Sequence, residues 1–152
     1  MSVKSDNVYI EGIQGFISLT LMRGCDDWVQ ACEIVDNIFN LDPVFRKDVA
    51  PEVLSAVAEA EKKGDDIEFN FARDLTIAII RKVLVDELML IGDIDNGFKP
   101  WPLTIEESLL KVRDEWDKMN GKLPGLGVYW LCNTQKGEEI GQRVLLLWQQ
   151  TR

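Results

Sequence analysis

Asp93-Ile-Asp-Asn-Gly97 sets oxygen-bearing side chains at alternate positions ahead of a glycine, as a calcium loop does. The register then breaks. With Asp93 as the first ligand, glycine falls at the fifth position instead of the sixth, and Thr104 stands where a bidentate glutamate is needed. The stretch reads as a plain turn, with Asp and Asn accepting local hydrogen bonds and glycine taking a positive φ. Glu106-Glu107 and Asp114-Glu115 offer adjacent carboxylates for acid–base work, yet neighbouring residues on a helix diverge in direction and no second catalytic group accompanies them. Gly121, Gly125 and Gly127 match neither a phosphate loop nor a dinucleotide fingerprint. Cys25, Cys32 and Cys132 form no C-x-x-C pair and are odd in number, so reduced thiols of a cytosolic protein are expected, with Cys32 and Cys132 as small core residues. The chain has no histidine, which removes Ser-His and Cys-His nucleophile pairs and every imidazole metal ligand. No catalytic residue, metal or cofactor is expected.

Composition sets the frame around these absences. A chain of 152 residues, 46% hydrophobic and 28% charged, fits one globular domain with a well-formed core. Its 26 acidic residues against 17 basic ones give a net charge of −9, which repels phosphate backbones and anionic membranes and attracts basic partners. The charge is uneven: Asp26 to Glu68 carries 12 acids and 4 bases, and Asp86 to Asp117 carries 9 and 3. Phe16-Ile-Ser-Leu-Thr-Leu-Met22 before Arg23-Gly-Cys25 imitates a lipoprotein signal, but the apolar run is short, and Asp6 and Glu11 spoil the basic leader. A soluble, cytoplasmic protein is expected.

Helical spacing supplies most of the elements that would position a site. The first 25 residues are ambiguous, since Ile17 to Leu21 alternates like a strand while Ile10, Ile13, Ile17 and Leu21 recur as on a helix, towards which the reading leans. Trp28, Ala31, Cys32, Val35, Ile38 and Phe39 predict a helix from about Asp27 to Asn40. Pro51 opens another, with Val53, Leu54 and Val57 inward, which ends at Gly64; an exposed Gly64-Asp-Asp66 turn follows. Phe71 to Leu88 is apolar on nearly every side and predicts the central helix, with Met89 to Ile91 extended after it. Thr104-Ile-Glu-Glu107 reads as a capping box before a helix through Leu109, Val112, Trp116 and Met119, stopped at Asn120-Gly121; its outer face of Glu106, Lys111, Arg113, Asp114, Asp117 and Lys118 reads as solvated. Val128 to Cys132 fits a strand, and Glu138 to Trp148 a closing helix with Ile140, Val144 and Leu147 inward. The expected fold is α+β, mostly α-helical: a single domain over residues 1–152 with a small sheet, helical to about residue 68 and winged-helix-like from about residue 69.

Two resemblances carry the functional expectation. Leu131-Cys-Asn-Thr-Gln-Lys-Gly137 resembles the strand followed by LT-x-x-G that closes MarR-type regulators, over about twenty residues. A DNA reader needs basic residues on its recognition helix and wing, whereas the helix before this strand is acidic, with Lys111, Arg113, Lys118, Lys122 and Lys136 as a partial basic edge. More widely, Asp27 to Val35, Val85 to Asp93, Gly97-Phe-Lys-Pro-Trp101, Trp116 and Trp130-Leu-Cys-Asn-Thr134 are similar to a family of small bacterial proteins that includes immunity proteins of contact-dependent and other polymorphic toxin systems. That resemblance implies a protein that binds and neutralises one cognate toxin, a nuclease domain with a basic active cleft, without free nucleic acid or membrane as partner. A winged-helix regulator or adaptor is the alternative. Phe98 and Trp101 are candidate anchors, surrounded by Asp93, Asp95, Glu106 and Glu107, with Asp65 and Asp66 as a second acidic surface; packing of both aromatics over the Trp116 helix is the competing expectation.

Overall fold

In the computed structural model, which describes residues 11–119 and 128–151, helices α1 (Gln14–Gly24), α2 (Ala31–Phe39), α3 (Pro51–Lys63), α4 (Asp65–Val85), α5 (Ile105–Asp117) and α6 (Gln135–Gln150) surround a small sheet. The strands are β1 (Val29–Gln30), β2 (Met89–Ile94), β3 (Phe98–Pro100) and β4 (Trp130–Asn133), in the order β1-β4-β2-β3 with every pair antiparallel. A 3₁₀ turn, Pro43–Asp48, joins α2 to α3. This is an α+β single domain, mostly helical, and one apolar core runs through it from Ile13 on the first helix to Leu131 on the last strand.

The central helix is α4. Leu75, Ile79 and Val83 on one stripe and Ile77, Ile80 and Leu84 on the other are all buried, so the helix is packed from several sides. It starts six residues before the expected Phe71, because Gly64 at φ 64° turns the chain out of α3 and Asp65, Asp66 and Glu68 then fall in a first turn, where acids suit the helix dipole. It stops before Leu88. Glu87 takes φ 58°, and the Leu88 amide bonds back to the Val83 carbonyl at 2.8 Å, closing the helix as a left-handed cap does.

Other boundaries shift for local reasons. The expected helix from Asp27 begins only at Ala31, since Val29 and Gln30 pair with Leu131 and Trp130 across the sheet and the Glu33 carboxylate accepts from the Gln30 amide at 3.2 Å. Ile17 to Leu21 is helical: Ile13, Phe16, Ile17 and Leu21 are buried together, a set that strand alternation would split between two faces. Met89 to Ile94 forms a longer strand than expected because Phe98 to Pro100 pairs with its second half in a hairpin. The hairpin turn is as expected, with Gly97 at φ 108°.

The Thr104–Glu107 capping box is present in both directions, at 2.9 and 3.1 Å, and Leu109, Val112 and Trp116 lie buried below it. The stop expected at Asn120-Gly121 lies outside the described residues. On the outer face of α5, Glu106, Lys111, Asp114, Asp117 and Lys118 are exposed, as expected, and Arg113 is half-buried. Arg73 reaches Asp117 at 3.3 Å, Arg113 reaches Asp74 at 3.7 Å, and Arg81 grips Glu106, so cross-helix ion pairs tie α5 to α4.

The polar run Asn133 to Gly137 takes the chain from the end of β4 into the first turn of α6. Thr134 caps α6 by accepting from the Gly137 amide at 3.1 Å, and its hydroxyl donates to the Glu87 carbonyl at 2.7 Å. Gly137 and Gly141 are buried and bring α6 against the Leu88 and Leu21 carbonyls. Leu147, expected inward, is 63% exposed, because this glycine contact sets which face of α6 turns to the core.

Candidate functional site

The residues expected to anchor a partner do not form one surface. Asp65 and Asp66 open α4 while Arg81, which holds Glu106, lies sixteen positions on, about 24 Å along a helix axis. Glu106 is committed to Arg81 and Glu107 to the Thr104 cap. Asp93 stands opposite Lys99 in the β2–β3 ladder, and Asp95 sits in the hairpin turn. Phe98 is half-buried. Trp101 is 9% exposed, with its ring 6.5 Å from the buried Tyr129 in an edge-to-face contact and Lys111 Nζ 4.7 Å from its centroid. It packs into the core, as the competing expectation had it, though on Tyr129, whose hydroxyl in turn accepts from Trp116 Nε1 at 3.2 Å.

Acidic groups converge elsewhere. An open cleft of about 350 Å³ lies between the C-terminal end of α1, the segment leading into α2, and α6. Asp26, Asp27 and Glu33 line it together with Arg23, the half-buried indole of Trp28 and the apolar side chains of Met22 and Leu145. Local structure explains the placement. The Asp27 carboxylate accepts from the Trp28 amide at 2.7 Å, and strand pairing at Val29 carries the preceding residues away from α2. The helix expected from about Asp27 would have turned Trp28 inward; the one sequence signal of the cleft is the acid–acid–aromatic run itself.

The thiol beside this cleft is held by backbone acceptors. Cys25 Sγ points at the Leu21 carbonyl at 3.4 Å and the Glu138 carbonyl at 3.7 Å, and burial, then the Glu138 charge, push its pKa up to about 11. Cys32, in the first turn of α2, and Cys132, on β4 opposite the exposed Leu90, are half-buried, not core as expected; burial raises both thiols. Burial likewise raises the Tyr129 hydroxyl, while a 2.8 Å hydrogen bond from Gln142 lowers Glu138. Among the described residues no cluster of three or more Cys, Asp or Glu has the geometry to hold a metal ion, and no helix is long and apolar enough to cross a membrane. The cleft sets three carboxylates and one guanidinium beside an indole. No family model, curated protein or solved structure matches this chain.

Proposed function

We propose that the protein is an immunity-type protein of the cytoplasm, which binds a cognate toxin domain and occludes its basic active surface, a nuclease domain being the form of toxin that best suits an acidic inhibitor. The observation that carries the reading is the cleft in which Asp26, Asp27 and Glu33 flank Trp28. Carboxylates around an aromatic face and apolar stems are complementary to the guanidinium or ammonium group of a basic protein, and the net charge of −9 speeds its approach. The docking surface thereby moves from the 93–107 region, where Glu106 is paired with Arg81, to the 26–33 region, where Asp26, Asp27 and Glu33 line one cleft.

The winged-helix regulator is the second reading, favoured by the β2–β3 hairpin and by the strand that leads straight into α6. Its basic edge argues against it. Arg113 is held by Asp74, Lys118 by Glu115 at 3.6 Å, Lys111 by the Trp101 ring and Lys136 by the Asp86 carbonyl at 3.2 Å, while Lys122 lies outside the described residues. The test is stopped-flow association, over a salt series, with a basic toxin domain captured by co-purification with this protein. Association should slow as the Debye length shrinks below about 10 Å, and Asp26→Lys with Asp27→Lys should slow it where Asp65→Lys with Asp66→Lys does not. A rate flat in salt and indifferent to the first pair would refute the assignment of the cleft, and salt-sensitive retention on DNA would favour the regulator.

A further inference from the structure

The last two turns of α6 carry apolar side chains that the body of the protein leaves uncovered. Leu146 and Leu147 are 59% and 63% exposed, and Val144, Leu145 and Trp148 are only half-buried, because Gly137 and Gly141 are the residues that α6 buries. From Val144 to Gln150 there is no ionisable residue, in a chain that is 28% charged and carries a net charge of −9. A basic partner is drawn to carboxylates, and this run has none. Two copies of the chain repel each other wherever acids lie, so an uncharged face is where they can meet.

The same face is complementary to itself. Arg143, Leu146, Leu147 and Gln150 are all exposed and follow one another at helical spacing along one stripe. The two leucines mark its midpoint, with Arg143 about one turn before them and the carbonyl end of the helix about one turn after. That end carries the negative pole of the helix dipole, and α6 has no basic residue in its last turn to balance it. We propose that α6 is the contact between two copies of this chain, packed antiparallel about a twofold axis that passes between the leucine pairs. Leu146 then lies against its own counterpart and Leu147 against its own, while Arg143 of each copy stands beside Gln150 and the last carbonyls of the other. A cation, a pair of leucines and a carbonyl end, in that order, find their complement in the same order reversed, which is what a second α6 presents. The contact from Arg143 to Gln150 is about 10 Å of helix on each copy. It falls well short of the roughly 800 Å² per partner of a standard interface, so the pair is reversible, with a dissociation constant of about 0.1–1 mM. The inference does not rest on the toxin reading, since none of these four residues lines the acidic cleft.

The experiment is sedimentation equilibrium of the full chain from about 10 µM to about 2 mM, at low and high salt. Expected is a reversible dimer that tightens about threefold or more as salt rises, because screening weakens the repulsion between two bodies of charge −9; a basic partner responds with the opposite sign. Leu146→Gln with Leu147→Gln keeps residues of similar helix propensity at exposed positions and should weaken the pair about tenfold. Arg143→Glu should weaken it about threefold, and Gln150→Lys likewise. The two together should restore it, because each reversed charge then faces its opposite across the twofold, while within one copy the two side chains are seven positions apart and do not face each other. A monomer at every concentration, a dimer indifferent to the leucine substitutions, or a double charge variant no tighter than the single ones overturns the proposal. Loss of toxin binding with the dimer intact would instead sink the proposed function and leave this inference standing.

Discussion

Replacing Gly141 by alanine tests the packing on which the α1–α6 pair depends, because two known effects act there with opposite sign. Inside an unconstrained helix the exchange stabilises by about 0.8–1 kcal/mol. Here the added methyl would lie 2.5 Å from the Leu21 carbonyl oxygen and 2.6 Å from Cys25 Sγ, where ordinary contact begins at 3.4 Å. The Leu21 oxygen belongs to the α1 backbone and accepts from Asn133 Nδ2 at 3.0 Å, so it yields only if the helices part by nearly an ångström. Overpacking of this kind costs about 1–3 kcal/mol, and a rigid neighbour places the cost at the upper end. The expected net loss is about 1–2 kcal/mol, a fall in Tm of about 2–8 °C for a chain of this size. Urea unfolding should show a lower midpoint at unchanged slope. Adding Cys25→Ala removes the sulfur contact and should restore part of the loss, while the carbonyl contact keeps the rest. Ser55→Ala, at an exposed position of α3, serves as the propensity control and should stabilise slightly. A Tm for Gly141→Ala that rises as the control does would refute the close packing of α6 on α1.

Asn37 and Thr76 are buried, and their side-chain polar atoms have no partner among the described residues, so Asn37→Leu and Thr76→Val should each raise stability in urea by about 1–2 kcal/mol, and a loss of that size would show that the polar groups are satisfied. Cys25, with its pKa near 11 against an ordinary 9.0, should carry about 100-fold less thiolate at pH 8 than a free thiol and alkylate correspondingly slowly in the folded protein. The raised value also fixes the sign of a pH effect: the contribution of this thiol to stability is complete below pH 9.0 and is lost as pH rises through about 11, a dependence that Cys25→Ser should remove from alkaline unfolding curves. Asp74 lies 3.1 Å from Arg73 and 3.7 Å from Arg113, and its replacement by alanine should cost about 1–2 kcal/mol in thermal unfolding, whereas Glu106→Gln, at a largely exposed pair, should cost under about 1 kcal/mol.

How much of this was legible in the sequence depended on whether the signal was local. The Thr104–Glu107 box, the α3 bounds at Pro51 and Gly64, and the two buried stripes of α4 were readable because each is written within a few residues in capping chemistry or helical spacing. The strand at Val29 and Gln30 was not, since its partners Leu131 and Trp130 lie a hundred positions away and the same residues have acceptable helical spacing. Leu147 was misplaced because periodicity counts apolar residues and cannot see that two glycines, with no side chain to register, choose the face. The acidic surface suffered likewise: counting charge located two acidic regions, but only the three-dimensional pairing of Arg81 with Glu106 showed which carboxylates were already engaged.

The seating of α6 against α1 also has a consequence in time. The bond from Asn133 to the Leu21 carbonyl joins residues 112 positions apart, and at synthesis rates of 5–20 residues per second that separation is roughly 6 to 22 s of waiting for the nascent α1. During that interval the surface of α1 that Gly141 and the rest of α6 later cover has no partner from its own chain, and such early apolar helices are natural clients of ribosome-associated chaperones. A chain stalled before α6 emerges should therefore be chaperone-bound and protease-sensitive at α1, and its protection should come in a single late step, when the last helix closes over the first.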